Sequence, residues 1–101
     1  MSKEYICTAE FTAKPGMIGK LIEESAKLVP LSRKEEGCLR YEMHSYLERS
    51  DVVFFIERFK DKAAFDVHAT TPYIRNFVDN VVPVLVKDMK FGAYCDISES
   101  I

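Results

Sequence analysis

Residues 52–77 read V-V-F-F-I-E-R-F-K-D-K-A-A-F-D-V-H-A-T-T-P-Y-I-R-N-F, and they contain three of the predicted elements. The apolar run from Val52 to Phe59 predicts a strand. Asp61 predicts the start of a short helix, because its side chain can accept a hydrogen bond from an unpaired amide in the first turn. Thr71 followed by Pro72 predicts the start of a second helix for the same reason.

Four further elements are predicted from the rest of the chain. Alternating apolar residues predict strands over Tyr5 to Ala13, Cys38 to Leu47 and Phe91 to Ile97. Apolar residues at helical spacing predict a helix over Met17 to Glu36. The order β-α-β-β-α-α-β predicts an α+β fold on the ferredoxin-like split βαβ plan, with a four-stranded antiparallel sheet and helices on one face. No repeat or linker interrupts the chain, so we predict a single domain over residues 1–101.

Three positions predict local features of the backbone. Pro30 and Pro83 each lie inside a predicted helix, where proline removes a hydrogen-bond donor and predicts a kink. Gly37 follows the first helix and is predicted to end it in the left-handed conformation.

The strand from Val52 to Phe59 is apolar on both faces, and this predicts a second copy of the chain as a partner. One face carries Val52, Phe54 and Ile56, and the other carries Val53, Phe55 and Phe59. Helices can cover only one side of a single sheet, and leaving the other side in water would cost several kcal/mol at about 25 cal/mol per Å². We therefore predict a homodimer that packs sheet against sheet.

The composition limits other partners. The chain has a net charge of -2 with scattered Lys and Arg, so we expect neither nucleic acid nor an anionic membrane as a partner. No apolar run approaches the roughly 20 residues that span a bilayer, and the N-terminus lacks a secretion signal, so we expect a cytoplasmic location.

Cofactor and metal sites are not predicted. The dispersed glycines form no phosphate-binding loop, and His44 and His68 lie on separate elements without ligand spacing, so we expect no cofactor and no metal. Cys7, Cys38 and Cys95 are expected to be reduced core thiols.

His68 is the leading candidate for catalysis. It lies three residues after Phe65 and four after Ala64, so it shares their inward face of the short helix. An imidazole in an apolar pocket can accept a phenolic or enolic proton near neutral pH. The alternative is a packed histidine that bonds a backbone carbonyl.

Glu57 is the second candidate, because it shares a strand face with Phe55 and Phe59. A buried carboxylate must be neutralised, paired or solvated. It could orient a substrate hydroxyl or His68, or it could form an ion pair with Arg40 or with a residue of a partner chain.

Aromatic residues are the candidates for substrate binding, since aromatic walls suit flat ligands. They are Phe11, Tyr41, Phe59, Phe65, Tyr73 and Phe77. Their strand and helix periodicity is equally typical of ordinary core residues.

Two motifs carry a resemblance to a known family. E-E-G-C-L-R-Y, from Glu35 to Tyr41, and E-R-F-K-D-K-A-A-F-D-V-H-A-T-T-P, from Glu57 to Pro72, resemble the antibiotic biosynthesis monooxygenase (ABM) family. The resemblance covers nearly the whole chain. It implies a dimeric α+β barrel and an enzyme without a bound cofactor, which oxidises a quinol, phenol or polyketide-like aromatic with O₂.

The resemblance also implies roles for the site residues. His68 would assist deprotonation, and Glu57 or Tyr73 would position the substrate. Two positions depart from the family's pattern: Phe59 stands where tryptophan is common, and Tyr73 stands where relatives often carry a second histidine. A tyrosine can donate a hydrogen bond there but is a poor base, with an ordinary pKa of about 10.

Two other functions remain open at this point. One is a non-oxidative isomerase or lyase of a small carbonyl or sugar-like metabolite, as in relatives that process autoinducer-2. If the substrate were phosphorylated, a basic cluster would be needed, and Arg40, Arg58 and Arg75 are the candidates. The other is a ligand-binding dimer without catalysis.

Overall fold

The computed structural model describes residues 3–98, and its elements follow the predicted order. The strands are β1 (Tyr5–Ala13), β2 (Cys38–His44), β3 (Val52–Phe59) and β4 (Val86–Tyr94). The helices are α1 (Ile18–Ala26), α2 (Leu28–Arg33), α3 (Lys62–Ala69), α4 (Pro72–Asn76) and α5 (Val82–Leu85), with a π-helical turn over Phe77–Val81 between the last two.

The four strands form one antiparallel sheet in the order β2-β3-β1-β4. The helices pack on one face of this sheet, which we call the inner face, and the opposite face is the outer face. This arrangement confirms the predicted α+β, ferredoxin-like plan for a single chain. The dimeric barrel stays a prediction.

Strand register places three chemically important side chains in one row of the inner face. Cys7 on β1 lies opposite Glu57 on β3, and Tyr41 on β2 lies opposite Glu57 from the other side. Phe55 and Phe59, two residues before and after Glu57, are fully buried under the helices. The inner face is therefore an apolar core that contains one carboxylate.

The outer face of β3 has no covering layer among the described residues. Phe54 and Ile56 are half-buried there, and Tyr94 on β4 is 53% exposed. Val52, the third residue predicted on this face, is fully buried.

Both internal prolines disturb their helices as predicted. Pro30 cannot donate to the carbonyl of Ala26, and the helix breaks at Lys27 between α1 and α2. Before Pro83 the chain widens into the π-helical turn, in which the amide of Val82 donates to the carbonyl of Phe77.

Two strand boundaries differ from the prediction. Strand β2 ends at His44 rather than at Leu47, which is fully exposed. Strand β4 runs over Val86–Tyr94 rather than Phe91 to Ile97. Its charged residues interrupt the apolar alternation that would predict a strand. They are tolerated because β4 lies at the edge of the sheet.

Gly37 has a different role from the predicted one. Among the described residues, positive φ is found at Gly16, not at Gly37, so Gly37 is not a left-handed helix end. A Cβ atom at position 37 would overlap the Cβ atom of Ala64 in α3. Glycine is needed here because helix α3 approaches the start of β2 so closely.

The cysteines lie in three different environments. Cys7 is buried, Cys38 is half-buried, and Cys95 is exposed. The prediction of core thiols is wrong for Cys95, because β4 ends one residue earlier, at Tyr94.

No helix within residues 3–98 is long and apolar enough to cross a membrane. The cytoplasmic location stays a prediction.

Candidate active site

The first component of the candidate site is His68, near the end of helix α3. Asp61 starts this helix as predicted, because its Oδ1 atom accepts a hydrogen bond from the amide of Ala64 at 2.8 Å. Thr71 caps α4 through the amide of Ile74 and also donates its hydroxyl to the carbonyl of His68 at 2.8 Å. These contacts hold the helix end, and the imidazole points inward with 3% exposure.

Aromatic rings surround the imidazole. The ring centroids of Phe59, Tyr41 and Phe65 lie 4.9, 5.4 and 6.1 Å from that of His68. Such packing holds the ring in one orientation and excludes water from its faces.

Glu57 is the second component, and it faces His68. Its Oε1 atom lies 3.6 Å from the Nε2 atom of His68 and accepts a hydrogen bond from the Cys7 thiol at 3.5 Å. Glu57 is 4% exposed. The alternative ion pair with Arg40 is wrong, because Arg40 lies on the outer face and pairs with Glu42 at 2.8 Å.

Glu35 is the third component, and sequence reasoning missed it. Its Oε2 atom lies 2.9 Å from the Nδ1 atom of His68, on the other side of the ring from Glu57. The hydroxyl of Tyr73 donates to the same Oε2 atom. The sequence signal for Glu35 is its place at the start of the first motif, although the charged residues Lys34 and Glu36 on either side are typical of an exposed helix end.

An apolar cavity of about 150 Å³ lies beside this cluster, and Glu35 is not among its lining residues. Glu57 and His68 lie in its wall together with four of the predicted aromatic residues, which are Phe11, Tyr41, Phe65 and Phe77. Exposed residues also belong to the wall and mark the cavity's opening: Arg75, Met89 and Phe91.

Within residues 3–98, two of the predicted site residues, Phe59 and Tyr73, do not line this cavity. Phe59 is fully buried and packs against His68 and Phe65. Tyr73 turns its hydroxyl toward Glu35 and the carbonyl of Leu31. Both can influence the site only through their neighbours.

Burial shifts the acid–base properties of the site. It raises the pKa of Glu57 to about 7, although the hydrogen bond from Cys7 lowers that pKa and the charge of Glu35 raises it further. Burial also raises the pKa values of Cys7 and Tyr41. Burial and the bond to Glu35 raise the pKa of Tyr73 to about 12, so its phenol is a donor at neutral pH.

The two histidines lie on opposite faces of the sheet. His44 lies on the outer face, where its Nε2 atom is 2.9 Å from Glu42, and His68 is buried between helix α3 and the inner face. No group of three or more potential metal ligands occurs within residues 3–98.

A buried carboxylate on a ferredoxin-like sheet faces an imidazole from helix α3 in the wall of an apolar cavity. This arrangement defines a small α+β protein with a candidate acid–base site. A family model described as antibiotic biosynthesis monooxygenase matches residues 4–80, and the chain belongs to this family. The resemblance inferred from the two motifs is confirmed.

Individual proteins are also similar to this chain. The crystal structure of protein SO0527 from Shewanella oneidensis is 35% identical with a TM-score of 0.91, covering 93% of this chain and 91% of that chain. The Bacillus subtilis protein named "Putative monooxygenase YcnE" is 29% identical over 73 residues, which are 72% of this chain and 77% of that protein. "Uncharacterized protein sll1783" from Synechocystis is 27% identical over 88% of this chain, which spans only 60% of that protein's length.

Proposed function

We propose that this protein is a monooxygenase that oxidises an electron-rich phenol or hydroquinone with O₂ and needs no bound cofactor. The observation that carries the proposal is the pairing of Glu57 with His68 in the wall of an apolar cavity. Membership of the monooxygenase family supports the same reaction class.

Glu57 and His68 would act on the substrate hydroxyl as a pair. Their facing atoms are 3.6 Å apart, which is too long for a direct hydrogen bond but close enough for one hydroxyl oxygen to contact both. With a pKa of about 7, Glu57 is partly ionised at neutral pH and can accept the phenolic proton. The phenolate that results is the electron-rich species that gives electrons to O₂.

The reaction balances with substrate and O₂ alone. One oxygen atom forms a new bond to a ring carbon, and the O–O bond breaks. The other oxygen atom leaves as water with two hydrogen atoms from the hydroquinone, which becomes a hydroxyquinone. All the electrons that reduce O₂ come from the substrate, and the proton held by the Glu57–His68 pair returns to the departing oxygen.

The size of the cavity favours a single-ring substrate. A dry apolar cavity of roughly 150 Å³ accommodates one benzene ring. The cavity has about this volume, so additional rings of a polyketide-like aromatic would extend past Met89 and Phe91 at the opening. A single-ring hydroquinone or phenol is therefore the proposed substrate class.

A phosphorylated substrate receives little support from the geometry. Arg40 and Arg58 belong to the outer face, where they pair with Glu42 and Glu4. Of the three candidate arginines, Arg75 alone lies at the cavity, and it pairs with Asp79 at 2.7 Å. No basic cluster of these three residues forms, so a phosphorylated substrate gains no specific observation. An unphosphorylated carbonyl substrate would use the same Glu57–His68 pair, and oxygen uptake separates that isomerase or lyase alternative from the proposed oxidation.

A homodimer would cover the outer face. Phe54, Ile56 and Tyr94 leave apolar surface open there, and a second copy offers the same surface in return. We propose this dimer as the working form of the protein.

Oxygen uptake by the metal-free protein tests the proposed reaction. Single-ring hydroquinones and phenols are compared with two-ring and three-ring hydroquinones, using wild type, Glu57→Gln and His68→Gln. We expect uptake with single-ring substrates and a loss of about 10²- to 10⁴-fold in both variants. Glu23→Gln, at an exposed position on α1, is the matched control and should behave as wild type.

Two outcomes would contradict different parts of the proposal. Equal turnover by wild type and Glu57→Gln would contradict the acid–base role of Glu57. Faster uptake with three-ring than with single-ring substrates would remove the single-ring class while leaving the reaction itself in place.

A further inference from the structure

We infer that Glu35 is a positioning residue that holds His68 in the tautomer with its proton on Nδ1, so that the lone pair of Nε2 faces Glu57 and the cavity. The catalytic consequence of this inference rests on the proposed function, whereas the tautomer itself rests only on the contacts of Glu35.

Glu35 contacts the imidazole of His68 directly. The Oε2 atom of Glu35 lies 2.9 Å from the Nδ1 atom of His68. An ionised carboxylate can only accept hydrogen bonds, so Nδ1 must be the donor. In a neutral imidazole the other nitrogen then carries the lone pair, and here that nitrogen is the Nε2 atom next to Glu57.

Tyr73 is a second donor to Glu35. Its hydroxyl donates to the same Oε2 atom that faces His68, and its raised pKa keeps it protonated at neutral pH. One oxygen atom that receives two donors is held as the acceptor of both bonds. The second carboxylate oxygen, Oε1, is buried without a hydrogen-bond partner among residues 3–98. Within that part of the chain, His68 and Tyr73 are the two hydrogen-bond donors to this carboxylate.

The backbone around Glu35 fixes where the carboxylate lies. The amide of Glu35 donates to the carbonyl of Ser32 at 3.1 Å, and the carbonyl of Glu35 accepts from the amide of Cys38 at 3.1 Å. Gly37, inside this turn, allows α3 to come close enough for His68 to reach Glu35. The turn and the helix therefore set the distance between the two side chains.

Glu35 also acts on other titratable groups. Its charge raises the pKa of Glu57, and the charges of Glu35 and Glu57 both raise the pKa values of the Cys38 thiol and the Tyr41 phenol. Cys38 and Tyr41 stay protonated at neutral pH because burial raises their pKa values. Neither group makes a hydrogen bond to Glu35, so they do not decide which imidazole nitrogen carries the proton.

Nitrogen-15 NMR of the imidazole rings tests the tautomer directly. The chain has two histidines, and His44→Gln leaves His68 as the single signal to assign. Spectra are recorded up to alkaline pH, where imidazoles are neutral. We expect the proton of His68 on Nδ1 in wild type and in Tyr73→Phe, and a mixture of tautomers in Glu35→Ala. Glu35→Gln should restore the Nδ1 proton, because the side-chain carbonyl of glutamine can accept the same bond.

The neighbouring exposed residue Glu36 offers the matched control, and Glu36→Ala should leave the His68 signal unchanged. A proton on Nε2 in the neutral wild-type ring would overturn the inference, as would an unchanged tautomer in Glu35→Ala. If Glu35→Ala fails to fold, the wild-type spectrum and Glu35→Gln still decide the result.

The kinetic consequence is measured separately. In the oxygen-uptake assay, Glu35→Ala should lower kcat on the order of 10- to 100-fold with little change in KM, and Glu35→Gln should recover part of that loss. An unchanged kcat in folded Glu35→Ala would overturn the positioning role. Absence of oxygen uptake with every substrate would instead contradict the proposed function and would leave the NMR result standing.

Discussion

The Nε2 atom of His68 lies 3.6 Å from the Oε1 atom of Glu57, and both side chains are buried beside the cavity. The carboxylate belongs to the sheet and the imidazole to helix α3, so their distance reports how closely the two layers pack. Because Glu57 has lost most of its contact with water, its proton affinity falls in the range where a base works at neutral pH.

The stability of the protein should fall with rising pH because of Glu57. Its pKa rises from an ordinary 4.5 to about 7 in the folded chain. Below pH 4.5 the carboxyl is protonated in both states, so its contribution to stability is fully present. As pH rises toward 7 the unfolded chain releases the proton first, and roughly 3 kcal/mol of stability is lost.

Urea unfolding of wild type and Glu57→Gln at fixed protein concentration measures this loss. The free energy of unfolding of Glu57→Gln should rise relative to wild type by about that amount between pH 4.5 and pH 8. Glu23→Gln should run parallel to wild type, because its carboxyl is exposed. Parallel curves for Glu57→Gln would show that Glu57 has an ordinary pKa.

Cys7 should tune the pH dependence of turnover. Its thiol donates to Glu57 at 3.5 Å, and this bond lowers the pKa of the carboxyl. Removing the donor in Cys7→Ala should move the acid limb of kcat/KM to higher pH, whereas Cys7→Ser retains a donor and should not. The exposed Cys95→Ala is the control. An acid limb that stays in place in Cys7→Ala would mean that the thiol does not act on Glu57.

Gly37→Ala should destabilise the protein by about 1–3 kcal/mol, because the new methyl group overlaps Ala64. Thermal or urea unfolding measures the effect. A methyl group at Gly19, in the first turn of helix α1, would project into open space, so Gly19→Ala should instead stabilise by about 0.4–1 kcal/mol. If Gly37→Ala is at least as stable as wild type, the close approach at Gly37 is not a constraint.

Ile56→Lys should convert the proposed dimer into a monomer. Ile56 lies on the outer face of β3 between Thr8 and Glu42, where a lysine would place its charge within the apolar contact. Light scattering should report twice 11.6 kDa for wild type and a single chain for the variant. Val67→Lys, on the exposed side of α3, should remain a dimer. A wild-type monomer at micromolar concentration would refute the dimer.

Local patterns in the sequence were enough to predict much of the fold. Strand β3 has the predicted boundaries, and Asp61 and Thr71 start the helices that they were expected to start. These features depend on residues within a few positions of one another, so their signals survive in a single sequence. The same reasoning placed Glu57 and Phe55 on one face of the strand.

The site needed information that no local pattern contains. Glu35 and His68 are 33 positions apart, and Cys7 and Glu57 are 50 positions apart. Their contacts depend on the register between strands and on the close packing of α3 against the turn at Gly37. Glu57 becomes a base at neutral pH, and Glu35 orients an imidazole, only when distant segments of the chain meet and exclude water. Residue types predict the candidates, whereas three-dimensional packing determines which of them touch and how strongly each holds its proton.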